Sequence, residues 1–312
     1  MEVTQWADRG QQIQPHAADV LPQGATAGSA GCIGVARLGS VQVDGGFSIW
    51  VQVRGTAWVE AREGRFQLRR GEWIAFEKDS RPQLQTDRHG LCLGLQLGTQ
   101  ALRALASFAD LGLYAGRGRM SLHDLRLAMR LWREAGLRAA TAEPGPDAAV
   151  LRPLLMHLAN VQSALDEHIT RCPGRSRSRK RQVFGRLQRA RLYLEGNSDR
   201  VVRISELAEL TSFSNWYFSK TFQGLFEESP QAAAARLRVE RAAHLLDTTT
   251  MMVGEVAAAC GFDNCCSFAR AFRARFGVSA TRYRKASATQ AVTPISAKAL
   301  EAPGKAPLRT GT

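Results

Sequence analysis

ISELAELTSFSNWYFSKTF, residues 204–222, and VGEVAAACGFDNCCSFARAF, residues 253–272, are one local pattern written twice. Superimposed, Glu206 falls on Glu255, Ala208 on Ala257, Phe213 on Phe262 and Asn215 on Asn264. One extra residue in the second turn then brings Phe218, Lys220, Phe222 and Phe226 onto Phe268, Arg270, Phe272 and Phe276. A single coincidence of this kind is cheap, but a whole series in the same order marks an internal repeat. Each copy predicts a short helix, a turn and a second helix, which is a helix-turn-helix unit.

Within the first copy, Ser214 is placed to cap a helix on which Phe218, Phe222, Leu225 and Phe226 share one buried face. At about 100° per residue, Trp216, Ser219, Lys220 and Gln223 fall on the opposite face, with Asn215 at its start. In the second copy Phe268, Phe272 and Phe276 form the buried stripe, while Cys266, Ala269, Arg270 and Arg273 point away and Asn264 opens the helix. Cys265 falls nearer the phenylalanines and is expected to be buried. A helix about 12 Å across suits the B-DNA major groove, so these polar faces are candidate groove readers. Residues 231–246, between the copies, contain no Gly or Pro and predict a stiff helix of about 24 Å. Such a rod would hold two reading helices near the roughly 34 Å spacing of successive groove faces.

The charge is distributed to match. Of the formal charge of +14, +11 lies on residues 171–286, where 21 Lys and Arg are set against 10 Asp and Glu. Residues 1–170 are close to neutral, so a polyanion partner is expected for one end of the chain and a different role for the other. A non-specific basic nucleic-acid protein is the rival reading of that charge. Arg171 to Arg181, RCPGRSRSRKR, predicts a basic linker, either a flexible connection or a phosphate-binding arm. From about Ser287 the chain is small, polar and Pro-interrupted, and a disordered tail is expected over 287–312.

Upstream, between about Val35 and Leu97, apolar residues alternate: Phe47, Ile49, Val51 and Val53, then Trp58, Phe66 and Leu68. This is strand periodicity, broken at Gly45-Gly46, Glu63-Gly64, Arg70-Gly71 and His89-Gly90, and it predicts a small barrel or sandwich. Trp50, Trp58 and Trp73 are expected to fill such a barrel rather than line a pocket. After Ala101 the period becomes helical, with Leu122, Leu125, Met129 and Trp132, then Leu151, Leu154, Leu155, Leu158, Leu165 and Ile169. Pro153 predicts a helix start near itself, and one of these helices is a candidate dimer contact.

The stretch from Gly261 to Arg284, GFDNCCSFARAFRARFGVSATRYR, resembles the DNA-binding domain of the AraC/XylS family of bacterial transcription regulators. The resemblance extends over about residues 182–285 and rests on Gly261-Phe262, Phe268, Arg270, Phe272, Phe276-Gly277, Ser279 and Tyr283-Arg284. It implies base contacts by Trp216, Ser219 and Lys220 in the first helix, and by Cys266 and Arg270 in the second. Two positions depart from the family pattern. Ser212 stands where a turn glycine is usual, and Cys266 replaces a hydrogen-bonding residue, which shifts the expected readout toward Arg270 with Arg273 on phosphate. The resemblance also implies a cupin-like effector-sensing and dimerisation domain upstream.

The expected organisation is therefore α+β and multidomain. Residues 1–170 form a cupin-like β-barrel with trailing helices, 171–181 a basic linker and 182–286 an all-helical double helix-turn-helix domain. The expected function is sequence-specific transcription regulation, activation included, with promoter DNA, RNA polymerase, a small-molecule effector and a second copy as partners. No secretory leader or membrane span is read in the chain, so a cytoplasmic location is expected. The histidines His16, His89, His123, His157, His168 and His244 are scattered, and no nucleophile motif or phosphate-cradling loop is present. No enzyme activity, metal or cofactor is expected, a cupin-type metalloenzyme fused to a DNA-binding domain being the remaining alternative. The cysteines lack disulfide or zinc spacing, and a redox role for the Cys265-Cys266 pair is disfavoured because vicinal helical thiols cannot easily bridge.

Overall fold

The computed structural model describes residues 4–15, 30–99, 102, 112–141 and 148–292. His16, residues 103–111, the Pro144–Pro146 break and residues 293–312 of the expected tail lie outside the described residues. The chain divides into two compact units, Met1–Arg238 and Val239–Thr312.

The first unit opens with two β-sheets. The strands are β1 (Thr4–Ala7), β2 (Gln12–Ile13), β3 (Ala30–Ala36), β4 (Ser40–Gln42), β5 (Phe47–Arg54), β6 (Thr56–Ala61), β7 (Gly64–Arg69), β8 (Glu72–Phe76), β9 (Gln83–Thr86), β10 (Leu91–Leu97) and β11 (Gly116–Arg119). One sheet has the order β1-β3-β10-β5-β8-β11 and the other β2-β4-β9-β6-β7. The hairpin between β6 and β7 pairs Ala61 with Gly64, so its two loop residues are Arg62 and Glu63, one position earlier than expected.

Strand β5 shows how alternation is used. Phe47, Ile49, Val51 and Val53 do not face between the sheets; they share a core with Leu125, Trp132, Leu151, Leu154, Leu155 and Leu158. These belong to helices α1 (Leu122–Thr141) and α2 (Ala148–Val161), which cover the outer face of the six-stranded sheet. The other face of β5 carries Trp50, fully buried with Phe66, Leu68, Ile74, Phe76 and Leu84 between the sheets. Both faces of β5 are therefore removed from water, and buried Ser48 Oγ accepts the Trp50 indole N–H at 3.2 Å. Trp50 fills the space between the sheets as expected, but Trp73 lies on the helix-covered face with Val51 and Trp132, and Trp58 is 58% exposed on the outer face of the second sheet.

The helices differ from the periodicity reading at three points. Leu122 is exposed because it opens α1, before the helix meets the sheet. Helix α2 begins at Ala148, placing Pro153 inside it; burial of Leu151, Leu154 and Leu155 outweighs the one intrahelical hydrogen bond that proline cannot donate. Leu165 and Ile169 do not continue the α2 stripe. Ile169 lies on a separate short helix, α3 (Asp166–Arg171), and both residues join the core of the next segment.

That segment is α4 (Arg177–Gly196), α5 (Ile204–Thr211), α6 (Asn215–Phe226) and the start of α7 (Pro230–Thr248). Helix α4 starts inside the basic run, with Ser176 Oγ accepting the Arg179 N–H at 3.2 Å. Its buried face, Val183, Phe184, Leu187, Ala190 and Leu194, packs with Leu207, Ala208, Phe218, Phe222 and Leu225. The second unit contains the end of α7 with α8 (Val253–Ala259), α9 (Cys265–Phe276) and α10 (Ala280–Val292). Its own core is Val239, Ala242, Ala243, Leu246, Val256, Ala257, Cys260, Phe268 and Phe272. Helix α10 runs to Val292, past Ser287 where the irregular tail was expected to begin.

Candidate nucleic-acid interface

Each helix-turn-helix is built by the same local devices. In the first, the Glu206 carboxylate accepts the Arg203 backbone N–H at 2.9 Å, and in the second Glu255 accepts that of Met252 at 2.7 Å. Both acids sit three residues past a helix cap, where a carboxylate relieves an orphan donor and complements the helix dipole. Sequence alignment of the two copies pairs these acids without revealing the role, because Arg203 and Met252 are not the hydroxyl or amide caps that usually advertise it.

Glu206 does more than its counterpart. Arg200 Nη2 donates to it at 2.7 Å and Tyr193 Oη at 3.1 Å. The Arg200 hydrogen bond is the main cause of a carboxyl pKa held down at about 2.

The turns differ as the substitution at position 212 implies. Ser212 adopts the left-handed conformation, φ 52 and ψ 44, at the end of α5, and its counterpart Gly261 has φ 68. Only glycine occupies this region without a Cβ penalty. Arg186 supports the first turn from α4, donating to Thr211 O at 3.2 Å and lying 5.3 Å from the Phe213 ring centroid.

The second helix of each unit, α6 and α9, carries its phenylalanines on one side. Phe218, Phe222 and Leu225 are buried on α6, and Phe268 and Phe272 on α9, with Phe226 and Phe276 half-buried. On the opposite side of α6, Asn215, Trp216, Lys220 and Gln223 are exposed and Ser219 half-buried. Lys220 Nζ lies 4.8 Å from the Trp216 ring centroid, so these two side chains form one cationic, aromatic surface. On α9, Cys266, Arg270 and Arg273 are exposed. Asn264 is the cap of α9, its Oδ1 accepting the Ser267 N–H at 2.8 Å, whereas Ser214 does that work for α6 and leaves Asn215 as the first helical residue. Cys265 is exposed rather than buried, since as first residue of α9 it precedes the turn that meets the core. Among the described residues, no group of three or more His, Cys, Asp or Glu could hold a metal ion.

Residues 207–286 match the family model described as "Helix-turn-helix domain". This match takes in the first copy from Leu207 onward, the intervening helix and the whole second copy. The carboxy-terminal region is an AraC/XylS-type DNA-binding domain. The AraC-type domain is 37% identical over 86 residues to the HTH-type transcriptional regulator Rv1931c of Mycobacterium tuberculosis, covering 28% of this chain and 33% of that protein. A longer match, 28% identical over 244 residues, covers 70% of this chain and 68% of the HTH-type transcriptional regulator CdhR of Pseudomonas aeruginosa. Among solved structures, a probable AraC family transcriptional regulator from Rhodopseudomonas palustris is 33% identical, covering 33% of this chain and 96% of that chain with a TM-score of 0.31. The chain thus spans about a third of the Mycobacterium protein's length and about two thirds of the Pseudomonas protein's.

Proposed function

We propose that this chain is a sequence-specific, DNA-binding transcription regulator, an activator acting in the cytoplasm under control of a small molecule or partner. The carrying observation is the AraC-type domain with two helix-turn-helix units, each holding a polar or cationic face over its own phenylalanine core. In this reading Trp216 contacts a thymine methyl, Lys220 and Arg270 read base edges, Asn215, Ser219, Gln223 and Cys266 add contacts, and Arg273 binds phosphate, with Asn264 holding the start of α9. In this reading each of the two helices enters a major groove.

Residues 1–170 supply sensing and dimerisation, 171–181 the basic connection and 182–286 the DNA contact. RNA polymerase is the downstream partner of the activator. The apolar cavity between Ile49, Val51, Leu93 and Leu95 of the sheet and Met129, Trp132, Leu154 and Leu158 of the helices has a volume of about 20 Å³. That admits about one water molecule, so an organic effector at this place requires α1 and α2 to move apart.

Substitution of Arg270 by alanine is the test, with DNA selected from a random-sequence pool by the unaltered chain. A loss of about 1 to 3 kcal/mol on the selected fragment, together with relaxed base preference, supports the reading. An equal loss on scrambled DNA supports the rival, a non-specific basic protein held by phosphate contacts.

A further inference from the structure

The tip of the β6–β7 hairpin is fastened to the corner between α4 and α5. Glu63 is fully buried there, accepting from Arg189 Nε at 2.6 Å and from Ser80 Oγ at 2.8 Å. Arg189 also meets Asp79 at 3.0 Å, and Leu192 of the same helix joins the core between the sheets. Gly64, at φ +121, lies against the Gly196 backbone so closely that a Cβ on either residue would collide with the other chain segment.

From this contact a chain of hydrogen bonds leads into the first helix-turn-helix. Asn197 Nδ2 donates to Glu63 O at 3.0 Å, and Arg200 Nε donates to Asn197 Oδ1 at 3.3 Å. Arg200 then holds Glu206, the acid that caps α5. The hairpin of the sensing region and the cap of the first DNA-binding helix are thus joined by three side chains.

The geometry points to a releasable clamp: the β6–β7 hairpin restrains the α4–α5 corner, and DNA binding by the first helix-turn-helix competes with its closure. This rests on the DNA-reading assignment above. Two physical features argue for it. The first helix of such a motif crosses the DNA backbone, so the corner that leads into α5 is where phosphate and hairpin would meet. The clamp is also built around a buried ion pair, with Glu63 Oε2 and Arg189 Nη2 lacking hydrogen-bond partners. Desolvation offsets much of the attraction in such a pair, which makes closure specific without making it strong.

The test uses the full chain, the DNA fragment selected by the unaltered protein, and two variants, Glu63→Gln and Asn197→Ala. Amide exchange over residues 62–66 and 196–203 is followed with and without DNA. Both variants are expected to exchange faster in these segments and to bind the fragment roughly five-fold or more tightly; saturating DNA is expected to speed hairpin exchange in the unaltered chain. Faster exchange with unchanged or weaker binding overturns the clamp, as does unchanged exchange in both variants. Should Glu63→Gln fail to fold, Asn197→Ala decides alone, because it removes hydrogen bonds outside the β-core. Arg270→Ala on the same fragment separates the two failures. If it keeps full base discrimination, the DNA-reading assignment is wrong; if it loses discrimination while the clamp variants bind as before, only the clamp is wrong.

Discussion

The ammonium of Lys220 lies 4.8 Å from the centroid of the Trp216 indole, one helical turn away on the exposed face of α6. The ring's negative face attracts the cation and restricts where the lysine can reach, so the two residues act as a pair. Trp216→Leu, which keeps an apolar surface but removes the π face, is expected to weaken DNA binding by about 0.5 to 1 kcal/mol. A double-mutant cycle with Lys220→Met is expected to show coupling of that size. Strictly additive losses would mean that each side chain touches DNA independently.

Ser212 stands in a left-handed turn that its counterpart fills with Gly261. Ser212→Gly is therefore expected to stabilise the first helix-turn-helix by about 0.5 to 1 kcal/mol, the Cβ penalty exceeding glycine's extra chain entropy. Gly261→Ala should destabilise by about 1 kcal/mol or more. Thermal unfolding of both variants checks the pair, and the same sign for both would refute it.

Glu206 has its carboxyl pKa lowered to about 2, chiefly by the Arg200 hydrogen bond. A lowered folded value means that the stabilisation is fully present above the unfolded value near 4.5 and is lost as pH falls from there toward 2. The stability gap between the unaltered chain and Glu206→Gln is expected to be constant from neutral pH to about 5 and to shrink between about 4.5 and 2. Chemical denaturation across that range measures it; a gap independent of pH throughout would exclude the ionised pair as its cause.

Cys265 and Cys266 are exposed, whereas Cys32, Cys92, Cys172 and Cys260 are buried. Burial pushes the Cys32 thiol up to about 12 and Cys172 to about 11. Alkylation of the native chain at neutral pH should mark Cys265 and Cys266 first, with the buried thiols reacting only on unfolding. Peptide mapping against time distinguishes the two classes. Early labelling of Cys172 would contradict the packing of α3 against α4.

The carboxy-terminal half was largely legible because helical periodicity acts on neighbours. Phe218 and Phe222, or Phe268 and Phe272, are placed by 3.6 residues per turn, and whatever they bury against must lie on that side. The same local rule put Trp216, Lys220, Gln223, Arg270 and Arg273 outward. It failed for Cys265, because a face angle does not say where along a helix the core begins.

Strand patterns carry less. Phe47, Ile49, Val51 and Val53 announce one buried face of β5, but alternation cannot tell whether that face looks toward a second sheet or toward helices. The helices α1 and α2 took it, and the second sheet took Trp50. The clamp was illegible for a related reason: Glu63 and Arg189 are far apart in the chain, each resembles an ordinary surface charge, and only their contact buries them.

Sequence alone therefore determined the repeated helix-turn-helix, its outward residues and its excess positive charge, all properties set by spacing within a few turns of chain. Tertiary structure decided which face of β5 meets which layer, where Cys265 lies, and that the β6–β7 hairpin closes on α4 beside the cap of α5. Those outcomes depend on contacts between segments remote in sequence, whose burial and hydrogen bonding no local pattern encodes.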